Sequence, residues 1–286
     1  MNKVLSSLSS IAVAAGVAYA ALVALLFIVQ RSLLYHPSSA TPTPVESGVA
    51  EMQVIALRTE DDLTLEAWYA VPAAADGMVI VYFCGNAGHI GHRAFKIRRL
   101  MDAGFGALLV GYRAFGGNPG RPSEAGLYAD GRAALRFLTD QGVVSTRIAL
   151  YGESLGTGVA VRMASEWAAT NDPIGAVVLE TPYTSIADVA ARHYPFLPAR
   201  HLVRDRFDAL SVIGAIQAPL LVFHAEDDRI IPIELARRLY DAATPPKEAH
   251  WFGAGGHDGL FEAGADEFII DFLQRAAADR TSPLLR

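Results

Sequence analysis

Cysteine is almost absent from this 286-residue chain, with Cys84 its single example. An intramolecular disulfide is therefore excluded, and cysteine usage leaves the compartment open. No basic face or Lys/Arg cluster stands out. The net charge is -6 with both signs interspersed, which argues against a nucleic-acid partner. There is no internal repeat and no low-complexity tract. Gly116-Gly117-Asn118-Pro119-Gly120 is glycine-rich, but no Lys-Ser or Lys-Thr follows, so it reads as a turn and not as a phosphate loop. His89 and His92 stand three residues apart without a third ligand at a metal-binding spacing. Neither a metal nor an organic cofactor is expected.

What is present begins with a long hydrophobic run. Ile11 to Val29 holds 19 residues without a charge. At about 1.5 Å per residue such a helix is roughly 28 Å long, close to a hydrocarbon core of about 30 Å. Ala18-Tyr19-Ala20 resembles a signal-peptide cleavage site. The apolar run continues past it to Val29, where a cleaved peptide should turn polar, so an uncleaved anchor over residues 1–30 is expected. The flanking charges, the amino terminus and Lys3 against Arg31, nearly tie and lean towards an inside N-terminus with the remaining domain on the far side. Residues 31–48 carry Pro37, Pro42 and Pro44 and read as an irregular tether.

The remaining 49–286 suits one large α/β domain. Glu51 to Leu57 and Leu63 to Tyr69 alternate apolar and polar residues around Glu60-Asp61-Asp62, which predicts a β-hairpin. Short continuous apolar runs at Met78–Phe83, Gly106–Val110, Ile148–Tyr151, Ala176–Glu180, Leu220–His224 and Ala249–Phe252 read as buried strands. Helix-permissive segments separate them. This alternation implies a mostly parallel sheet with helices on both faces. Thr181 to Gln217 breaks the alternation, and a lid insertion over about 183–215 is expected there.

The chemistry centres on Tyr151-Gly152-Glu153-Ser154-Leu155-Gly156, a Gly-Glu-Ser-Leu-Gly turn between a strand and a helix. That is the context of a nucleophile elbow, with glycines where neighbouring backbone approaches closely and the serine hydroxyl standing clear. Ser154 then needs a base, an acid and oxyanion donors. Glu226, Asp227 and Asp228 follow a strand, and Asp228 lies directly before the Arg-Ile-Ile-Pro segment, so position favours it over the other two as the acid. His257 lies in the glycine-rich loop after the last strand and is the candidate base, with Asp258 expected to orient the loop. The order Ser, acid, His is the one this architecture uses. The N–H groups of Leu155 and Asn86 are the candidate oxyanion donors, each worth roughly 3–4 kcal/mol in the transition state. Cys84, beside the oxyanion loop, reads as a buried small hydrophobe. With Tyr183, Tyr194 and Phe196 it is also a candidate pocket residue. The aromatic segment His193 to Pro198 is expected to shape an apolar acyl pocket near the membrane. His193 and His201 otherwise read as lid surface.

Several of these segments, in order, resemble the Bem46-like, or ABHD13/ABHD17-like, serine hydrolases. They are Gln30–Pro37 after the anchor, Phe83–Arg93, Gly111–Glu124, the Gly-Glu-Ser-Leu-Gly elbow, Leu179–Ser185 and the Asp-Arg-Ile-Ile-Pro segment beginning at Asp228. The likeness covers nearly the whole chain. It implies an α/β-hydrolase fold with Ser154 as nucleophile, Asp228 as acid and His257 as base. It also implies hydrolysis of esters or thioesters, of lipids or lipidated proteins. Two positions depart from the family pattern: Cys84-Gly85 replaces His-Gly, and Gly111-Tyr112-Arg113 replaces Asp-Tyr-Arg. Neither removes a triad member or a backbone donor, so they bear on substrate preference. Two other readings remain on the same residues: a serine aminopeptidase using this triad, and a membrane-tethered interaction protein without turnover.

Overall fold

The structure, a computed structural model, describes residues 2–281; the side chain of Lys3 lies outside what it describes. A single helix, α1 (Asn2–Leu34), leads into a two-residue strand β1 (His36–Pro37) and the hairpin β2 (Gln53–Arg58) and β3 (Thr64–Ala70). Then come β4 (Val79–Phe83), β5 (Ala87–Gly88), α2 (Ala94–Asp102), β6 (Gly106–Leu109), α3 (Glu124–Asp140), β7 (Ile148–Glu153), α4 (Leu155–Ala168) and β8 (Ala176–Glu180). The segment expected to form a lid holds α5 (Ile186–His193) and α6 (Ala199–Leu202). The chain closes with β9 (Leu220–Ala225), α7 (Ile233–Ala242), β10 (Lys247–Phe252) and α8 (Ala265–Thr281). The expected strands and helices are all present, shifted by a few residues at their ends.

The eight-stranded sheet has the order β10-β9-β8-β7-β4-β6-β3-β2, and only the β2–β3 and β3–β6 pairs are antiparallel. Its inner strands are buried along their whole length, as in β4, β7, β8 and β9. Burial on both faces is why those segments are unbroken apolar runs, while the hairpin at the edge alternates. The C-terminal ends of β4, β7, β9 and β10 face one edge of this parallel array. Loops leaving such an edge are where ligands bind in open α/β sheets.

Within residues 31–48, only Tyr35 and 38–48 lack helix and strand. α1 continues to Leu34, and β1 pairs with β5, the segment just after the loop leaving β4. Tyr35 and Val49 are buried in the core. Pro37 is accommodated because β1 is an edge strand of two residues, where a missing N–H costs no ladder bond. The chain is thus docked onto the sheet immediately after the apolar helix.

Candidate active site

Ser154 sits between β7 and α4 with φ +50° and ψ −118°. That is a strained conformation for a residue with a Cβ, held here by the surroundings. Its N–H donates to Glu180 O at 2.9 Å, and its carbonyl accepts from the Thr157 N–H and from Thr157 Oγ1 at 2.7 Å. Both elbow glycines answer to close approach. A Cβ on Gly152 would lie 2.6 Å from Gly156 O, and one on Gly156 would run into the backbone oxygens of Phe83 and Cys84.

A hydrogen-bonded chain leads away from the hydroxyl. His257 Nε2 is 2.9 Å from Ser154 Oγ, and His257 Nδ1 is 2.7 Å from Asp228 Oδ2. The other carboxylate oxygen of Asp228 accepts from the N–H groups of Ile230 and Ile231 at 2.7 and 3.0 Å. Burial alone would raise the Asp228 carboxyl, but His257 and these two N–H donors hold it below its ordinary value. Burial alone would lower His257; the bond to Asp228 and the Asp228 charge outweigh it and leave the imidazole above its ordinary value. Position distinguishes the three adjacent carboxylates. Asp227 accepts from the Gly256 N–H at 2.8 Å and braces the histidine loop, while Glu226 is exposed and pairs with Arg237. His224 is buried behind the acid, its Nε2 3.7 Å from Asp228 Oδ2, and burial lowers it, so it stands neutral.

The two expected oxyanion donors lie beside the serine. Leu155 is the first residue of α4, where an N–H has no partner within the helix. Asn86 is fixed from both sides. Its Nδ2 donates to Leu34 O at 2.7 Å and its carbonyl accepts from His36 N at 2.8 Å. The helix end and β1 therefore set the position of the Asn86 backbone. Asn86, Ser154 and Leu155 open into one cavity of about 490 Å³, which Tyr183 and Tyr194 also line. Cys84 and Phe196 do not line it. Cys84 is buried at the end of β4, where burial pushes its thiol up to about 12, and Phe196 is 62% exposed. The reason is local. Cys84 precedes the loop and packs in the sheet core, and Phe196 stands exposed in the connection between α5 and α6.

Sequence reasoning missed the charge cluster directly beneath the elbow. Glu153 and Glu180 are register partners at the ends of β7 and β8. Lys96 Nζ reaches Glu153 at 3.1 Å and Glu180 at 2.7 Å, and all three are buried. Arg93 adds 2.7 Å bonds to Glu153, Tyr82 donates to Glu153, and Tyr151 donates to Glu180 at 2.7 Å. Burial would raise Glu153, but Lys96 and Arg93 hold it down at about 2. Burial and the nearby Glu153 charge raise Glu180 despite Lys96. The available signal was a carboxylate ending each of two buried strands. Also missed was Asp205, buried in the lid loop and paired bidentately with Arg31 at 2.8 and 2.9 Å.

No family model matches the chain. It is 41% identical over 232 residues to an uncharacterized protein of Mycobacterium tuberculosis, covering 80% of each. It is 30% identical over 263 residues to protein Bem46 of Schizosaccharomyces pombe, covering 87% of each. Identity to the lysophosphatidylserine lipase ABHD12 of Danio rerio is 29%, over 71% of this chain and 62% of that one. Among solved structures, an esterase of Pyrococcus furiosus superposes with a TM-score of 0.68 at 20% identity, covering 85% of this chain and 98% of that one.

Proposed function

Since the chain belongs to the Bem46 family of α/β-hydrolases, we propose that it is a membrane-anchored serine hydrolase of carboxylic esters or thioesters. The observation that carries this reading is the unbroken hydrogen-bonded series Ser154 Oγ, His257, Asp228, with Ser154 lining a cavity. The cavity volume of about 490 Å³ lies within the usual range for small-molecule sites. Among the described residues one helix, with a span at Ser7–Leu34, is long and apolar enough to cross a bilayer, and residues 11–29 are the proposed membrane contact. The relative named a lysophosphatidylserine lipase favours a lipid substrate.

In the proposed mechanism, Ser154 Oγ attacks the carbonyl carbon while His257 Nε2 takes its proton. The negative charge on the carbonyl oxygen is met by the N–H groups of Leu155 and Asn86. Asp228 holds the imidazole in the tautomer that accepts at Nε2 and stabilises the imidazolium that forms. Collapse breaks the bond to the leaving group, which takes the proton from His257. Water, deprotonated by the same histidine, then hydrolyses the acyl-enzyme.

Fluorophosphonate labelling tests the assignment. Full-length protein should label at one serine, and Ser154→Ala should not; persistent labelling of that variant overturns it. Acyl esters and thioesters should be turned over at least about tenfold faster, by kcat/KM, than aminoacyl arylamides, and the reverse order would make the protein a peptidase. The pH profile supplies a second check. The base must be neutral to accept a proton, so kcat/KM falls as pH drops through the His257 pKa. Because Asp228 raises that value, the acid limb should lie above the ordinary histidine value of about 6.5. A limb centred below it would contradict His257 as the base.

A further inference from the structure

The apolar helix does more than precede the domain. Val23, Leu26, Phe27, Gln30 and Leu34 all line the cavity that reaches Ser154. Their spacing places them on one face of α1. Leu34 lies at the oxyanion loop, since its carbonyl accepts from Asn86 Nδ2. Val23 lies roughly 16 Å further out along the helix axis, at about 1.5 Å per residue. The cavity therefore extends from the oxyanion loop along the helix into the same uncharged run that is long enough to cross a bilayer. Ile186, Val189 and Ala190 of α5 line it as well.

This wall is held in place. Arg31 pairs bidentately with the buried Asp205, and Tyr35 donates to the same carboxylate at 3.1 Å. Gln30 accepts from Arg204 N at 2.7 Å, and the Arg204 guanidinium sits over the Phe27 ring at 5.8 Å. At the outer end, Tyr19 donates to Phe196 O at 2.8 Å, which ties the lid tip to the middle of the apolar run. Tyr194, Phe196 and Ile230 are each more than half exposed there. Exposed apolar side chains tied to a membrane-length helix fit lipid.

We propose that α1 is one wall of an acyl channel. The substrate is then an ester resident in the bilayer, whose acyl chain reaches Ser154 along the Val23-to-Leu34 face. The inference rests on the serine-hydrolase reading above, and goes beyond it by making the anchor a determinant of specificity. Leu26 and Phe27 are specificity residues, and the lid tip and helix share one leaflet.

The test uses full-length protein in vesicles of zwitterionic phospholipid, with a hexadecanoyl and a butanoyl ester of the same leaving group. Leu26→Trp should lower the hexadecanoyl-to-butanoyl ratio of kcat/KM at least about tenfold, as excluding about two methylenes from an apolar site does. Phe27→Ala, which widens the channel, should leave that ratio at or above wild type. Ile28→Trp, on the face away from the cavity, should leave both rates near wild type. Fluorophosphonate labelling of each variant reports a folded site. If wild type hydrolyses both esters and Leu26→Trp labels normally with an unchanged ratio, the channel inference is overturned and the hydrolase reading stands. If wild type hydrolyses neither ester, the hydrolase reading itself falls.

Discussion

Ser154→Ala is expected to lower kcat by about 10⁵–10⁶-fold on any ester the wild type turns over, with KM changed by less than a few fold. The magnitude follows from what the residue would do. It touches the substrate only through a bond that forms in the reaction, so its removal leaves ground-state binding in place. Donors at Leu155 and Asn86 would remain and support only a small residual rate over water. His257→Ala should cost about as much, and the double variant little more, because the two residues act as one unit. Initial rates of purified variants, with wild type inactivated by a fluorophosphonate as the background control, measure this. A Ser154→Ala loss below about 100-fold would mean that the nucleophile lies elsewhere.

Lys96→Met should be the most costly single change to stability outside the hydrophobic core. Lys96 is the cation between two buried carboxylates, 3.1 Å from Glu153 and 2.7 Å from Glu180. Methionine conserves the apolar stem but leaves Glu180 with Tyr151 as its remaining side-chain donor. Removing one partner of a buried ion pair costs about 3–5 kcal/mol, because the other charge stays buried. For a domain of this size that lowers Tm by roughly 10 °C. Glu180→Gln added to Lys96→Met should recover much of the loss, since it removes the uncompensated charge. A double-mutant cycle isolates that coupling. The penalty should also shrink at lower pH. Glu180 already sits above its ordinary value, and protonation removes the charge that Lys96 would have offset. A Tm change under about 2 °C would show that the cluster is not a stability element. Because Glu153 precedes Ser154 directly, any loss of kcat without loss of Tm in these variants would report instead on elbow positioning.

Much of the fold was legible because its signals are local. Central parallel strands are buried on both faces, so Met78–Phe83 and Ala176–Glu180 are continuous apolar runs. Ser123 announces α3 by accepting from the Gly126 N–H at 3.1 Å. Ser154, Asp228 and His257 were legible for a related reason. Each follows a strand, and in this architecture the loops after parallel strands meet at one edge. The docking of Arg31 to Pro37 onto the domain was not legible from the local prolines. The Arg31 charge is neutralised by Asp205, a partner 174 residues away that no local window contains.

The sequence by itself determined the elements, their alternation and the order of the candidate site residues. Periodicity, glycine placement and apolar runs act over a few residues, and those are set by the chain's own neighbours. Tertiary structure alone decided which distant groups meet. It set Glu153 beside Glu180 through strand register and put Lys96 between them. It brought the Asp228 carboxylate within 2.7 Å of His257 Nδ1. It also laid the apolar helix along the cavity, through an ion pair to the buried Asp205 and one helical face. The physical reason is that burial and pairing depend on the order in which strands and lid assemble, and no stretch of sequence states that order.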